Sequence, residues 1–157
     1  MKIKDLVIED FLQYKQPVMF IITSFCSFKC EKECGIKGIC QNSSLVKQET
    51  RDIDNNYIVS KYLENDITKG IVFGGLEPFD QFDELYQLIA LFRSKISDPI
   101  IIYTGYKEDE IQDKIDNLKT YDNIIVKFGR YIPNSKSRHD EILGVELASE
   151  NQYAKRI

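Results

Sequence analysis

Gly70-Ile-Val-Phe-Gly74 is β-branched or aromatic between its glycines and does not alternate polar with apolar positions. A continuous apolar run this short, bounded by glycine, reads as a strand buried on both faces. Pro99-Ile-Ile-Ile-Tyr-Thr104, Asn123-Ile-Ile-Val-Lys-Phe128 and, upstream, Pro17-Val-Met-Phe-Ile-Ile-Thr23 have the same character. Helical patterns stand between them. Leu85, Leu88, Ile89 and Phe92 share one face, Ile111, Ile115 and Leu118 share another, and a weaker stretch from Asn55 to Asn65 carries Val59, Tyr62 and Leu63. Asp80 stands where the helix of Leu85 needs an N-cap. The order is β-loop-α-β-α-β-α-β. Such alternation predicts an α/β fold with a mainly parallel sheet, whose right-handed crossovers bring every strand's C-terminal end to one edge. Sites in sheets of this kind form at that edge.

With 157 residues and 43% apolar composition, the chain can bury a core without disulfide staples. It shows no internal repeat, low-complexity tract or linker, so residues 1–157 are expected to form a single domain. The polar stretch from Pro133 to Glu141 reads as a surface loop or flap. A formal charge of -4, with both signs interspersed, provides no basic patch for nucleic-acid binding and points to a small-molecule or protein partner. The run from Val18 to Ile22 is far too short to span a bilayer, and no long apolar stretch follows the first lysines. The protein is therefore expected in the cytoplasm, with no membrane partner.

All four cysteines, Cys26, Cys30, Cys34 and Cys40, fall in a loop (residues 24–44) directly after the first buried strand. In a reducing compartment they stay free for metal or catalysis rather than forming disulfides. Crowded thiolates suit zinc or an iron–sulfur cluster. Zinc ribbons and fingers pair short chelates across a longer loop, whereas here successive cysteines are separated by three, three and five residues, a spacing that favours the cluster. A structural zinc site in an interaction module is the non-enzymatic alternative. Three further strand ends converge on this loop: Gly74-Gly-Leu-Glu-Pro78, Thr104-Gly-Tyr106 and Gly129-Arg-Tyr131. Gly74 and Gly75 leave room for a ligand to approach the backbone, and Glu77 offers a carboxylate to an ammonium. Arg130 after a strand reads as solvated surface. His139, among Arg138, Asp140 and Glu141, reads as a solvated loop residue. No side chain stands out as a catalytic acid or base.

Cys26-Ser-Phe-Lys-Cys30, a third cysteine and the Gly-Gly-x-Glu-Pro segment at the next strand end resemble the radical S-adenosylmethionine superfamily. From Val18 to the C-terminus the chain most resembles the activating proteins of anaerobic ribonucleotide reductase, through Cys40-Gln-Asn42, Gly74-Gly-Leu-Glu-Pro78, Thr104-Gly-Tyr106, Gly129-Arg-Tyr131 and Ser149-Glu-Asn-Gln152. The resemblance implies a partial βα barrel and a 4Fe–4S cluster on three thiolates, with S-adenosylmethionine chelated on the open iron. A reducing electron donor then drives its cleavage to a 5′-deoxyadenosyl radical, which installs a glycyl radical on the reductase as protein partner. The implied metal ligands are Cys26, Cys30 and Cys40, with Cys34 as the alternative third. The implied cofactor contacts are Ile39, Gly74, Gly75, Glu77 and Thr104, whose hydroxyl either bonds ribose or adenine or satisfies local backbone.

Three positions depart from the family pattern. The family's C-x3-C-x2-C is not reproduced by any choice of cysteines, although Cys40 puts Ile39 and Asn42 in register. Leu76 separates Gly75 from Glu77, and Phe128 replaces an aspartate commonly found before Gly-Arg. A small molecule or a nucleic-acid base is the alternative substrate, and no further cysteine motif provides for auxiliary clusters.

Overall fold

The computed structural model describes residues 1–157 as one α/β unit. Strands β1 (Lys2–Asp10), β2 (Val18–Thr23), β3 (Arg51–Asp52), β4 (Ile71–Gly75), β5 (Ile100–Tyr103), β6 (Ile124–Phe128) and β9 (Tyr153–Arg156) form one sheet in the order β3-β1-β2-β4-β5-β6-β9. Strands β2, β4, β5 and β6 are parallel, with Ile21 opposite Phe73, Phe73 opposite Ile102 and Ile102 opposite Val126. Helices α2 (Asn55–Leu63), α3 (Phe82–Arg93) and α4 (Gln112–Leu118) are the crossovers. They bury Ile58, Tyr62, Leu85, Leu88, Ile89, Phe92, Ile115 and Leu118 against Ile21, Phe73, Ile102 and Val126. The opposite face of the sheet, Val18, Val72, Ile101, Ile125 and Ala154, is covered by Tyr14, Leu143 and Leu147. Burial on both faces is why these strands show no polar alternation.

The sheet is mixed and open. β1 joins β2, and β9 joins β6, both antiparallel, so the parallel core is flanked on each side by strands absent from the sequence reading. β1 escaped because charged residues punctuate it. Its Lys4 is nonetheless buried, its ammonium donating to the carbonyls of Val46 (3.2 Å) and Gln48 (2.7 Å). The edges β3 and β9 do not meet, and no closed barrel forms. The end of the stretch expected as loop, β7 (Arg138–Asp140), is one arm of a hairpin whose other arm, β8 (Val145–Leu147), follows it. Buried Asp140 fixes its turn by accepting the N–H groups of Ile142 and Leu143, both at 3.0 Å. Within α2 the buried face is Ile58, Val59 and Tyr62, while Leu63 is 52% exposed. Asp54 caps this helix through the N–H groups of Asn56 and Tyr57. Asp80 does not cap α3, whose N-cap position is Gln81, and it serves the thiol loop instead. No helix is long and apolar enough to cross a membrane.

Candidate metal centre

The chain leaves β2 at Thr23, whose buried hydroxyl donates to the Gly74 carbonyl (3.1 Å) and ties the loop's start to β4. At Phe28 the backbone turns left-handed (φ 54°), and its N–H points to Cys26 Sγ at 3.3 Å. Helix α1 (Lys29–Cys34) follows, carrying Cys30 and Cys34 before stopping at Gly35 (φ 71°). It has six residues and buries none of them. A helix so short does not hold itself.

Residues from the neighbouring strand ends hold it. Gln81 Oε1 accepts the Ser24 N–H (2.8 Å), Asp80 Oδ2 accepts the Ser27 N–H (2.6 Å), and the Phe25 carbonyl accepts the Glu77 N–H (2.8 Å). Asp80 Oδ1 accepts a hydrogen bond from the Tyr106 hydroxyl, and the Lys29 ammonium lies 4.4 Å from the Tyr106 ring centre. Further along, Asn42 Nδ2 donates to the Gly75 carbonyl at 2.6 Å, so the segment of Cys40 is moored to the glycine strand end.

A cavity of about 590 Å³ opens over the C-terminal strand ends, where Cys26, Cys30 and Cys40 share its wall with Gly75, Glu77 and Thr104. Cys34 does not line it. That thiol is exposed and turned back toward the Glu31 and Ile36 carbonyls. Half-buried Ile39 and buried Gly74 also lie outside the lining. No three thiol, imidazole or carboxylate groups converge on a point that would hold one metal ion. Three soft sulfurs stand in the cavity wall, a donor type that suits iron–sulfur ligation. Burial pushes the Cys26 thiol up to about 12, and burial together with neighbouring Cys40 pushes Cys30 up to about 11. Both are protonated at neutral pH until a metal displaces the protons.

Glu77 is only 7% exposed, and its carboxylate is already engaged. Oε1 accepts the Thr104 hydroxyl (2.7 Å) and the Phe79 N–H (3.2 Å), while Oε2 accepts the Gly105 N–H (2.8 Å). Burial outweighs these bonds and raises it to about 7. The Thr104 hydroxyl donates to Glu77 and accepts the Tyr106 N–H (3.0 Å), which is the local use of that hydroxyl.

The two glycines answer to packing. A Cβ at Gly74 would meet Phe20 Cε2 at 3.1 Å and Tyr103 Cβ at 3.2 Å, and one at Gly75, where φ is +85°, would meet Ile22 Cγ2 at 2.5 Å. Neighbouring side chains therefore exclude larger residues here before any ligand does.

Several positions stand apart from the sequence reading. Arg130 is buried at 7% exposure, contrary to the solvated reading, because Glu110 and Glu33 meet its guanidinium. Arg130 drives Glu110 down to about 2 through these bonds. The backbone around Arg130 is fixed by the Ser149–Gln152 turn, with Gln152 Nε2 on the Gly129 carbonyl (3.2 Å) and Asn151 Nδ2 on that of Arg130 (3.0 Å). Phe128 faces the helix-side core, 5.5 Å from the Tyr153 ring, and not the cavity. Leu76 is buried at the cavity wall. His139 is exposed on the hairpin beside Glu146 (3.1 Å). Lys127 was missed. Its ammonium is buried at the cavity wall with one carbonyl partner, that of Gly129 (3.1 Å), and desolvation lowers it to about 8. A lysine interrupting an otherwise apolar buried strand is the signal that marks it.

Residues 17–153 match a family model described as a 4Fe-4S single cluster domain. No curated protein and no solved structure matches the chain.

Proposed function

This chain belongs to the 4Fe-4S single cluster domain family, and from that premise we propose that it is a radical S-adenosylmethionine enzyme that activates a glycyl-radical partner, with Cys26, Cys30 and Cys40 as the cluster ligands. The observation that carries the reading is the gathering of these three thiols, and not Cys34, around one cavity at the Gly75-Leu-Glu77 strand end. When bound, the cluster would pass one electron to the sulfonium, releasing methionine and a 5′-deoxyadenosyl radical that takes a hydrogen atom from a glycine Cα.

The chain's own residues bind and orient. Glu77 receives the ammonium of the methionine moiety, its second oxygen having one protein donor, the Gly105 N–H. On the same cavity wall Lys127 presents a buried ammonium to the carboxylate end. Leu76, Ile22 and Phe20 supply apolar wall that keeps water from the reacting atoms. In this reading the open sheet takes the part of the superfamily's incomplete barrel, and a partner protein, an anaerobic ribonucleotide reductase in the reducing cytoplasm, docks across the strand ends that carry buried Thr104 and Arg130. A second reading, a small molecule or a base as substrate, is favoured by the burial of Phe128, which leaves no polar group at that position for a partner.

The test is anaerobic. Reconstituted protein should hold four irons per chain with no zinc, and its reduced paramagnetic spectrum should change on adding S-adenosylmethionine, with 5′-deoxyadenosine formed. With the organism's own reductase a glycine-centred doublet should appear. Cleavage without that doublet moves the assignment to the second reading, and an unaltered spectrum ends the radical reading.

A further inference from the structure

Arg130 is the place where the buried side-chain polar groups fail to balance. Nη1 and Nη2 each donate to Glu110 at 2.7 Å, and Nη2 lies 3.1 Å from Glu33 on α1. Its Nε–H is shielded from solvent and meets no acceptor, the single buried side-chain nitrogen or oxygen in the chain so left. A buried donor without a partner is rare in a native structure and calls for a reason. Here the surroundings supply one. Arg130 lines a second, small cavity of about 40 Å³ together with Cys26, Cys30, Ser27, Glu77 and Gly105.

The acceptors in that enclosure are few. Glu77 is already bonded to Thr104, Phe79 and Gly105. The Ser27 hydroxyl and the Cys26 and Cys30 sulfurs remain, and the sulfurs are weak acceptors as thiols but become strong, charge-bearing ones as metal-bound thiolates. The positive charge of Arg130 is offset by Glu110 and Glu33, so what it offers the thiols is a directed N–H dipole rather than a net charge.

We infer that the Arg130 Nε–H is a hydrogen-bond donor to sulfur at the Cys26–Cys30 side of the cluster, and that it raises the cluster's reduction potential. One-electron reduction adds negative charge to the sulfurs, so a donor to them stabilises the reduced form more than the oxidised one. Through Glu33 the same side chain steadies α1, which makes Arg130 a positioning residue for Cys30 as well. The inference rests on cluster binding by this loop and not on the S-adenosylmethionine chemistry, and its test omits that cofactor.

Protein containing arginine labelled with ¹⁵N only in the guanidinium would be reconstituted, reduced anaerobically and examined by pulsed electron paramagnetic resonance. Among the chain's arginines only Arg130 lines either thiol cavity, so a ¹⁵N coupling to the reduced cluster is expected and should vanish in Arg130→Lys, which keeps a cation for Glu110 but has no Nε. In Arg130→Lys the reduced-to-oxidised ratio at fixed poise should fall about tenfold, a midpoint shift of about 59 mV downward for a one-electron couple. Glu33→Gln, which removes the ion pair to α1 but keeps Nε, should retain the ¹⁵N coupling that Arg130→Lys loses. A reduced wild-type cluster with no arginine nitrogen coupling overturns the inference, as does an unchanged midpoint in Arg130→Lys. If Arg130→Lys holds no cluster, the labelled wild type still decides. A wild type that binds no iron overturns the cluster ligation itself, which iron analysis distinguishes.

Discussion

The buried carboxyl of Glu77 makes the stability of the metal-free protein depend on pH in a window where none of the other displaced groups titrates. In the folded chain it holds its proton to about pH 7, against 4.5 when solvated. The unfolded chain loses that proton first, so between pH 4.5 and 7 the folded state binds more protons and stability falls as pH rises. The separation is about 2.5 pH units, which at 1.36 kcal/mol per unit gives a loss of about 3 kcal/mol, complete just above pH 7. Other shifted groups act elsewhere. Glu110 titrates near 2, and its contribution is lost only on acidification below 4.5. Lys127, lowered to about 8, changes the slope only above that value. The Cys26 and Cys30 thiols, raised to about 12 and 11, are protonated throughout the window. Urea unfolding of the metal-free protein at half-unit steps from about pH 4.5 to 7.5 should therefore show stability declining by about 3 kcal/mol, and Glu77→Gln should flatten the curve. The Glu77→Gln protein should also be less stable than wild type at about pH 5, because an amide has one oxygen where the carboxyl had two for Thr104, Phe79 and Gly105. Parallel curves for the two proteins would refute the argument that burial, and not the three hydrogen bonds, governs this group.

Alanine at Cys26, Cys30 or Cys40 should abolish iron retention after anaerobic reconstitution, while Cys34→Ala keeps it; a Cys34 variant without iron beside a Cys40 variant with iron would reverse the ligand assignment. Gly75→Ala should destabilise the metal-free fold by about 2–5 kcal/mol, from the left-handed backbone and the clash with Ile22, and urea unfolding of the Gly75→Ala, Ile22→Ala pair should show coupling between the sites. Additive effects would mean that the clash is not felt. Asn42→Ala removes one partly solvated bond and should cost about 1 kcal/mol, yet release iron to a chelator faster than wild type. Equal release rates would show that the Asn42 tie does not hold the Cys40 segment.

The helices and parallel strands were legible because each is encoded by its own local pattern. The Leu85-Leu88-Ile89-Phe92 face is buried as its spacing requires. Asp80 illustrates the opposite case. It sits where a cap belongs, but Ser27 and Tyr106, both far from it in sequence, claim its oxygens. Arg130 looked like solvated surface because neither Glu110 nor Glu33 is near it along the chain, and only their approach makes its burial tolerable. β1 and β9 were not read because flanking antiparallel strands in which about every second residue is charged carry little apolar signal.

By itself the sequence determined the α/β alternation, the edge at which the strand ends meet and the clustering of thiols at that edge, since hydrophobic period and cysteine spacing are properties of short segments. The tertiary structure alone decided that Cys26, Cys30 and Cys40 share a cavity while Cys34 faces away, that Glu77 is held by Thr104 and Gly105, and that Lys127 and Arg130 are buried cations lining that cavity. These depend on which strand ends become neighbours and on how much water they exclude. Desolvation and hydrogen-bond partnership arise between segments distant in the chain, so no local pattern encodes them.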